Sequence, residues 1–250
     1  MITTHSMITT TTTAAAVKPP RITRGPALAN PFATRYTKPG VIPPLDASGR
    51  PLDVGPLIDR VGCGCSVIVG PHGRGKTTLV RALLAAAAAA GRATSFVQVC
   101  SRASAWQAIK AVAAARPGQL VAVDGWEQLP WGGGLVIAAL ASWRRAAVVA
   151  TAHRPVGLPV LARCDSSPAI VAAVVSRLPD CGGIISAADV EEAFRRRHGN
   201  VRDALADLYD RFEERRRSRA PMAAAIGLAA AERERLPERE RLPVPGRRRC

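Results

Sequence analysis

Residues 66–90 read SVIVGPHGRGKTTLVRALLAAAAAA, and this stretch decides the fold of the 250-residue chain. The apolar run 66–69 predicts a strand, and residues 78–90 predict a helix. Between them, residues 70–77 have the GxxxxGKT spacing of a phosphate-binding loop, whose glycines let backbone N–H groups surround phosphate oxygens. The helix N-terminus behind the loop adds a partial positive charge. Strand, loop and helix in this order predict a nucleotide site.

Each position of this loop has an expected contact. Lys76 is expected to reach the β and γ phosphates, and the Thr77 hydroxyl is expected to bind Mg²⁺. The other residues expected to contact the nucleotide are Gly70, Pro71, His72, Gly73, Arg74, Gly75 and Thr78. The NKxD motif of guanine-specific GTPases does not occur in the sequence, so we expect ATP rather than GTP.

The formal charge of +16 is concentrated at the two ends of the chain. Residues 1–45 hold five Lys or Arg and no acid, and residues 215–250 hold eleven Arg against four Glu. Residues 46–214 carry 19 basic and 15 acidic residues, so the part expected to fold is only mildly basic. The basic tails either engage nucleic acid or an acidic partner, or are simply solvated.

The six cysteines indicate the redox compartment of the protein, and the apolar runs show whether a membrane span is expected. The cysteines lack the spacing of a zinc site and the density of a secreted disulfide scaffold, so a reducing, cytoplasmic location is expected. Cys63 and Cys65 are interpreted as small apolar residues that lead into a strand, not as a metal half-site. The longest apolar stretches are interrupted by arginine, so no membrane span is expected.

Strand and helix patterns alternate after the phosphate-binding loop. Further strands are predicted at residues 94–100, 119–124, 146–151 and 159–164, and helices at 105–115 and 135–145. This alternation predicts an α/β fold with a parallel sheet of about five strands and helices on both faces, with the ligand at the carboxyl ends of the strands. Helical patterns at 169–178, 187–198 and 201–217, with Ser186 and Asn200 as N-caps, predict a small helical lid.

The same patterns divide the chain into five segments. Residues 54–166 are expected to form the core and residues 167–218 the lid. The expected tails, 1–29 and 219–250, are disordered because they lack core-forming residues. Residues 30–53, rich in Pro and Gly, are expected to form an extended leader that either covers the nucleotide base or serves as a linker.

The predicted strand LVAVD, residues 120–124, ends in an acidic residue, and a second acidic residue follows it. Asp124 at the strand end is expected to hold Mg²⁺ beside the loop, the alternative being a strand-terminal turn residue. Glu127 is the nearest carboxylate that could position the attacking water. A solvated Glu at a helix start is the alternative for Glu127.

Polar and basic residues also follow the fourth strand, in the segment Thr151-Ala152-His153-Arg154-Pro155. Thr151 or His153 is expected to sense the γ phosphate, and Arg154 to neutralise it. The alternative is an ordinary loop with a hydrogen-bonded His and a solvated Arg.

With these motifs the chain resembles P-loop ATPases of the AAA+ and STAND group. VAVDGWEQL, residues 121–129, is similar to the Asp-Gly-x-acid form of the Mg²⁺ strand in STAND ATPases, and ATAHRP, residues 150–155, to their Thr-Ser-Arg-Pro sensor strand with one residue extra. GNVRDAL, residues 199–205, resembles the second sensor of AAA+ proteins, which implies that Arg202 reaches the γ phosphate from the lid. LARC, residues 161–164, is similar to the Ser-Arg-Cys element of clamp-loader ATPases, which implies that Arg163 acts on a neighbouring subunit's nucleotide in a homo-oligomer.

The chain departs from both groups in ways that affect function. Gly125 stands where an AAA+ protein usually has Glu, so the water-activating role passes to Glu127 or is lost. The repeat or effector regions of STAND proteins are not found in the sequence. The leading hypothesis is an ATP-hydrolysing molecular switch. The alternatives are a nucleotide-binding module with little turnover that uses its basic tails, and a small-molecule kinase, for which no acceptor pocket is recognisable.

Overall fold

The computed structural model describes residues 29–235, with side chains for residues 29–218. Nearly all of the predicted N-terminal tail, residues 1–28, and the C-terminal residues 236–250 lie outside the described residues, so these parts of the two tail predictions are not tested. Within residues 29–235, no helix combines the length and apolar character needed to cross a bilayer.

The centre of the fold is a five-stranded, fully parallel sheet in the order β2-β3-β4-β1-β5. Its strands are β1 (Gly64–Val69), β2 (Thr94–Gln98), β3 (Leu120–Asp124), β4 (Ala147–Ala152) and β5 (Val160–Arg163). Strands β3 and β4 are buried along their whole length, as expected for a parallel sheet covered on both faces. The fold prediction of an α/β sheet of about five parallel strands is confirmed.

Helices cover both faces of this sheet. On one face, α3 (Lys76–Ala89) packs Leu79, Val80 and Leu83 against Ile68 and neighbouring strand residues. The short helix α2 (Gly55–Asp59), which the sequence patterns did not predict, contributes to the same layer. On the other face lie α4 (Arg102–Ala113) and α5 (Gly133–Trp143), which pack on the alternate residues of the strands. The Ser101 side chain caps α4.

The lid consists of three helices after the sheet, namely α6 (Pro168–Val175), α7 (Ala187–Arg196) and α8 (Val201–Arg235). Ser186 caps α7 with a reciprocal capping box, and Asn200 accepts a hydrogen bond from the Asp203 N–H, so both predicted N-caps are confirmed. The lid has its own apolar core, which includes Leu208 and Phe212 of α8.

Helix α8 corrects the predicted end of the lid. The sequence patterns placed the helix end at Arg217 and a disordered tail from residue 219, whereas the helix continues to Arg235. Residues 222–231 read MAAAIGLAAA, and alanine has the highest helix propensity of all residues. The prediction of a disordered tail rests on its charge and proline content and does not take this helix propensity into account.

The leader, residues 30–53, packs against the lid. It contains one short helix, α1 (Thr34–Thr37), within an otherwise irregular course. Phe32 is buried with its ring edge-on to Phe212, at 6.3 Å between centroids. Asn30 donates from its side-chain amide to the Tyr209 carbonyl (3.1 Å) and to Glu213 (3.0 Å). These contacts place the leader along one side of the cleft described next.

Candidate nucleotide site

A cleft of about 1400 Å³ opens at the carboxyl ends of the strands, where the sequence analysis placed the ligand. Its floor is the phosphate-binding loop, and its walls come from the strand ends, the leader and the lid. The residues at the ends of β2 to β5 that line it are Gln98, Asp124, Thr151 and Arg163. The loop and helix residues that line it are His72, Gly73, Arg74, Gly75, Lys76, Thr77 and Thr78.

Lys76 is buried and its ammonium lies back on the loop. Its Nζ donates to the carbonyl oxygens of Gly70 (2.5 Å) and Pro71 (2.8 Å), and it lies 3.3 Å from His153 Nδ1. Burial lowers the pKa of Lys76 from its ordinary value, while the nearby carboxylate of Glu127 acts in the opposite direction. A phosphate group therefore has to compete with two carbonyls and an imidazole for this ammonium.

Asp124 is buried and receives two hydroxyl hydrogen bonds. Thr77 Oγ1 donates to Asp124 Oδ2 (2.9 Å), and Thr151 Oγ1 donates to Oδ1 (2.5 Å). Thr151 is the β4 residue paired with Asp124 in the sheet, and its hydroxyl accepts from the Gly125 N–H (2.9 Å). The sheet register thus fixes the carboxylate beside the first turn of α3.

The oxygens of Thr77 and Asp124 fit a Mg²⁺ ion. A hydroxyl and a carboxylate are hard oxygen donors, and Mg²⁺ is commonly bound by one or two carboxylates together with waters and phosphate oxygens. In the part of the chain that the structure describes, no group of three or more His, Cys, Asp or Glu residues could hold a metal ion. The two oxygens therefore suit a cation that arrives with phosphate and water ligands, not one held by the protein alone.

Three further side chains form a cluster beside Lys76. Glu127, in the 3₁₀ turn Trp126–Gln128, contacts His153 Nε2 through Oε1. The His72 ring from the loop lies against the His153 ring, with centroids 3.6 Å apart and a 40° tilt. Burial lowers the pKa of His72, and the nearby Lys76 ammonium acts in the same direction. The structure thus brings together the candidate water-positioning residue, the candidate sensor and the loop.

The loop is also tied to the lid and to β5. A Cβ atom on Gly73, whose φ is +68°, would stand 1.7 Å from Asn200 Oδ1. Arg74 donates to Asp165 (2.6 Å) and to the His198 carbonyl (3.0 Å), so its guanidinium is engaged by the protein itself. On the opposite side, a Cβ atom on Gly70 would lie 2.2 Å from the Cys164 carbonyl oxygen. Two loop glycines are therefore required by close approach of other chain segments.

Of the other three arginines in the sequence analysis, two line the cleft and one does not. Arg202, in the first turn of α8, lines it, and its charge contributes to the lowered pKa of Lys76. Asp203 and Asp207, with which Arg202 could otherwise form an ordinary surface ion pair, have other partners. Asp203 accepts from Asn200, and Asp207 pairs with Arg197 and Arg211.

Arg163 also lines the chain's own cleft, where it ends β5. Arg154 is exposed in the loop after β4 and is not among the residues that line the cleft, and neither are Gly70 and Pro71. The contribution of Gly70 and Pro71 is the pair of carbonyls that hold Lys76. The roles in nucleotide chemistry assigned to all these residues stay predictions.

Several cleft residues were not identified from the sequence. Asp165 and Ser166 join β5 to the loop and the lid through Arg74 and the Gly199 carbonyl (2.6 Å from Ser166 Oγ). Tyr209 and Asp210 line the cleft from α8. No motif marks these residues, because their position depends on the packing of the lid. Cys164 also lines the cleft, where burial raises the pKa of its thiol to about 11.

Comparison with known proteins does not show a family for this chain. No family model matches the sequence, and no curated protein matches it. Among solved structures, a chain of Drosophila ORC bound to DNA matches with a TM-score of 0.42 and 14% identity, over 71% of this chain and 60% of that chain. This chain thus spans less than two thirds of the length of that relative, and the likeness is too distant to define a family.

The parallel sheet, the loop between β1 and α3, and the surrounding helices define an α/β protein with a P-loop NTPase-like fold.

Proposed function

We propose that the chain binds Mg·ATP in the cleft at the carboxyl ends of the strands and hydrolyses it, acting as a molecular switch of the AAA+/STAND type. The observation that carries this proposal is the arrangement of Lys76, Thr77 and Asp124. A buried ammonium lies on a glycine-rich loop at a helix N-terminus, and the adjacent hydroxyl is bonded to a carboxylate at the end of β3. These are the groups that a phosphate chain and its cation require.

Each group has a defined part in the proposed reaction. The Lys76 ammonium exchanges the Gly70 and Pro71 carbonyls for β and γ phosphate oxygens. Thr77 and Asp124 hold Mg²⁺, which would neutralise charge on those oxygens. Glu127, which lines the cleft, orients the attacking water. Rate enhancement comes from positioning and charge neutralisation, because the protein forms no covalent bond with the phosphoryl group in this kind of transfer.

The switch in this proposal is the lid. Arg202 begins α8 beside the cleft, and Asn200 and the His198 carbonyl contact the loop residues Gly73 and Arg74. A γ phosphate that attracts Arg202 therefore acts on the same helix start that is docked on the loop. The position of α8 then depends on whether ATP or ADP is bound, because only ATP offers that phosphate.

The test is calorimetry of the full chain with ATP, ADP and GTP, together with an assay of phosphate release. We expect ATP to bind more tightly than GTP, and Lys76→Ala to abolish binding of both. Lys110→Ala, which removes an exposed ammonium from α4, is the matched control and should leave binding unchanged. A Lys76→Ala variant that binds and hydrolyses ATP like the wild type would overturn the proposal.

Turnover is tested separately from binding. Glu127→Gln keeps the size of the side chain and removes the base, so ATP binding should persist while hydrolysis falls about a hundredfold or more. Unchanged hydrolysis in this variant would assign the water-positioning role to another residue.

A second candidate function rests on the charge of the chain ends, where residues 215–250 hold eleven Arg against four Glu. In this function the chain binds nucleotide with little turnover and engages nucleic acid through the tails. Gel shifts over a salt series would show binding that weakens steeply with salt, because clustered Arg binds phosphates with release of counterions. Absence of salt-sensitive binding in the full chain would contradict it.

A further inference from the structure

The side chain of His153 has both ring nitrogens engaged by groups of the candidate nucleotide site. Its Nδ1 lies 3.3 Å from the Lys76 ammonium, and its Nε2 contacts the Glu127 carboxylate. An ammonium can only donate and an ionised carboxylate can only accept. Both contacts are satisfied by the tautomer that has the lone pair on Nδ1 and the proton on Nε2.

The orientation of this imidazole is held from two further directions. The His72 ring packs against it at 3.6 Å between centroids, and the backbone of His153 directly follows β4. The His153 and Glu127 side chains are 30% and 29% exposed, so their contact is only partly open to water. A hydrogen bond in such surroundings limits the motion of the carboxylate more than a fully solvated contact would.

We propose that His153 is a positioning residue that orients Glu127 for hydrolysis and, through its contact with Lys76, links this orientation to the state of the phosphate site. The proposal rests on the proposed function of ATP hydrolysis. The chain of contacts runs from Lys76 through the imidazole to Glu127. When Lys76 turns to a phosphate, Nδ1 loses its donor, while the Nε2–H remains on Glu127 and holds it towards the cleft.

The two conservative substitutions of His153 separate its two contacts. In His153→Gln the side-chain amide reaches about as far as Nε2 and can donate to Glu127. In His153→Asn the shorter amide can replace only Nδ1, facing Lys76. We expect single-turnover hydrolysis to slow at least about tenfold in His153→Ala and His153→Asn, because a misplaced catalytic group loses up to about a hundredfold. Hydrolysis should stay within about threefold of the wild type in His153→Gln, with ATP affinity little changed in all three.

A double mutant tests whether His153 acts through Glu127. If it does, Glu127→Gln/His153→Ala should hydrolyse ATP no more slowly than Glu127→Gln alone, because both changes remove the same step. Independent effects that multiply would overturn the proposal, and so would equal rates in His153→Asn and His153→Gln.

A spectroscopic measurement tests the bridge without relying on turnover. The chain has four histidines, so the imidazole ¹⁵N signals can be assigned with His153→Asn and the matching His72 variant. We expect His153 to be protonated at Nε2. Lys76→Ala should shift its Nδ1 signal, and Glu127→Gln its Nε2 signal. ATP should shift the Nδ1 signal in the same direction as Lys76→Ala.

The outcomes separate this proposal from the proposed function. A His153 whose signals respond to neither variant is not a bridge, which overturns the inference even in a chain that hydrolyses ATP. A chain that binds ATP in calorimetry but does not hydrolyse it also overturns the positioning role. A chain that does not bind ATP refutes the proposed function itself, whatever the imidazole signals show.

Discussion

Gly73→Ala tests the contact between the phosphate-binding loop and the lid. Gly73 has φ of +68°, and an added Cβ would lie 1.7 Å from Asn200 Oδ1 and 2.5 Å from its Cγ. Real Cβ atoms do not approach other atoms this closely, so Asn200 must move. Asn200 Oδ1 also accepts from the Asp203 N–H at the start of α8. The substitution therefore strains the loop and removes the helix cap together.

The expected loss of stability has two parts. The left-handed conformation costs a non-glycine residue about 1 kcal/mol, and loss of an Asn cap costs about 1 kcal/mol. Gly73→Ala should thus lower the free energy of unfolding by about 2 kcal/mol. Gly91→Ala is the matched control, since Gly91 has φ of +76° and nothing within 4 Å of its added Cβ. This control should lose only about 1 kcal/mol.

The assay is urea unfolding of the full-length variants, with Asn200→Ala and the double mutant measured in parallel. Because both single changes remove the same cap, the double mutant should be less destabilised than the sum of the two by about 1 kcal/mol. ATP affinity should fall in Gly73→Ala and not in Gly91→Ala. Equal destabilisation by the two glycine substitutions, or full additivity with Asn200→Ala, would refute the docking of Asn200 on the loop.

Three further predictions address the metal, the sensor and the lid. Asp124→Ala should make ATP affinity nearly independent of Mg²⁺ in calorimetry, and a retained Mg²⁺ effect would contradict its role as a ligand. Arg202→Ala should keep ADP affinity and lose the extra preference for ATP, whereas equal losses for both nucleotides would count against lid closure as the readout of the bound nucleotide. Asp189→Asn should lower the free energy of unfolding by about 2 to 3 kcal/mol at neutral pH, because Arg211 and Arg215 would lose their buried partner. The hydrogen bonds from Arg215 hold the pKa of Asp189 well below its ordinary value, so its stabilising effect is present above about pH 4 and is lost as the pH falls towards the folded-state pKa. The gap between wild type and variant in urea unfolding should therefore shrink at acid pH, with the exposed Glu191→Gln as an unaffected control.

The order of strands and helices could be predicted because buried parallel strands appear as short apolar runs. LVAVD at residues 120–124 lies between two helical patterns, and AVVAT at residues 147–151 lies between a helical pattern and a further apolar run, so both are predicted as strands. Since parallel strands end at the same edge of the sheet, the polar residues after each run were expected to meet. The hydrogen bonds of Asp124 with Thr77 and Thr151 confirm that they do.

Contacts between the loop and the lid could not be predicted, because they join residues far apart in sequence through side-chain geometry. Arg74 was expected to contact the nucleotide on its position in the motif alone. Its guanidinium bonds Asp165 and the His198 carbonyl, 91 and 124 residues away, and its contact with a nucleotide stays a prediction. The bridge from Lys76 through His153 to Glu127 depends similarly on three side-chain rotamers that no spacing rule specifies. The end of α8 differs from the prediction for another reason. Charge and proline predict disorder after residue 218, whereas the alanine-rich residues 222–231 favour a helix.

The contacts of the phosphate-binding loop with the rest of the chain limit which parts of the protein the proposed ATP binding would move. A ligand shifts a conformational equilibrium only by its differential affinity for the two states. Here the loop is tied to β4 through Lys76 and His153, and to the lid through Arg74 and Gly73. Phosphate competes directly for Lys76, whereas the Arg74 guanidinium already donates to the His198 carbonyl (3.0 Å) and to Asp165 (2.6 Å). We therefore expect ATP to rearrange the β4 side of the loop and to leave the Arg74 link intact, so that the Arg202 side chain turns to the γ phosphate while the start of α8 stays docked on the loop.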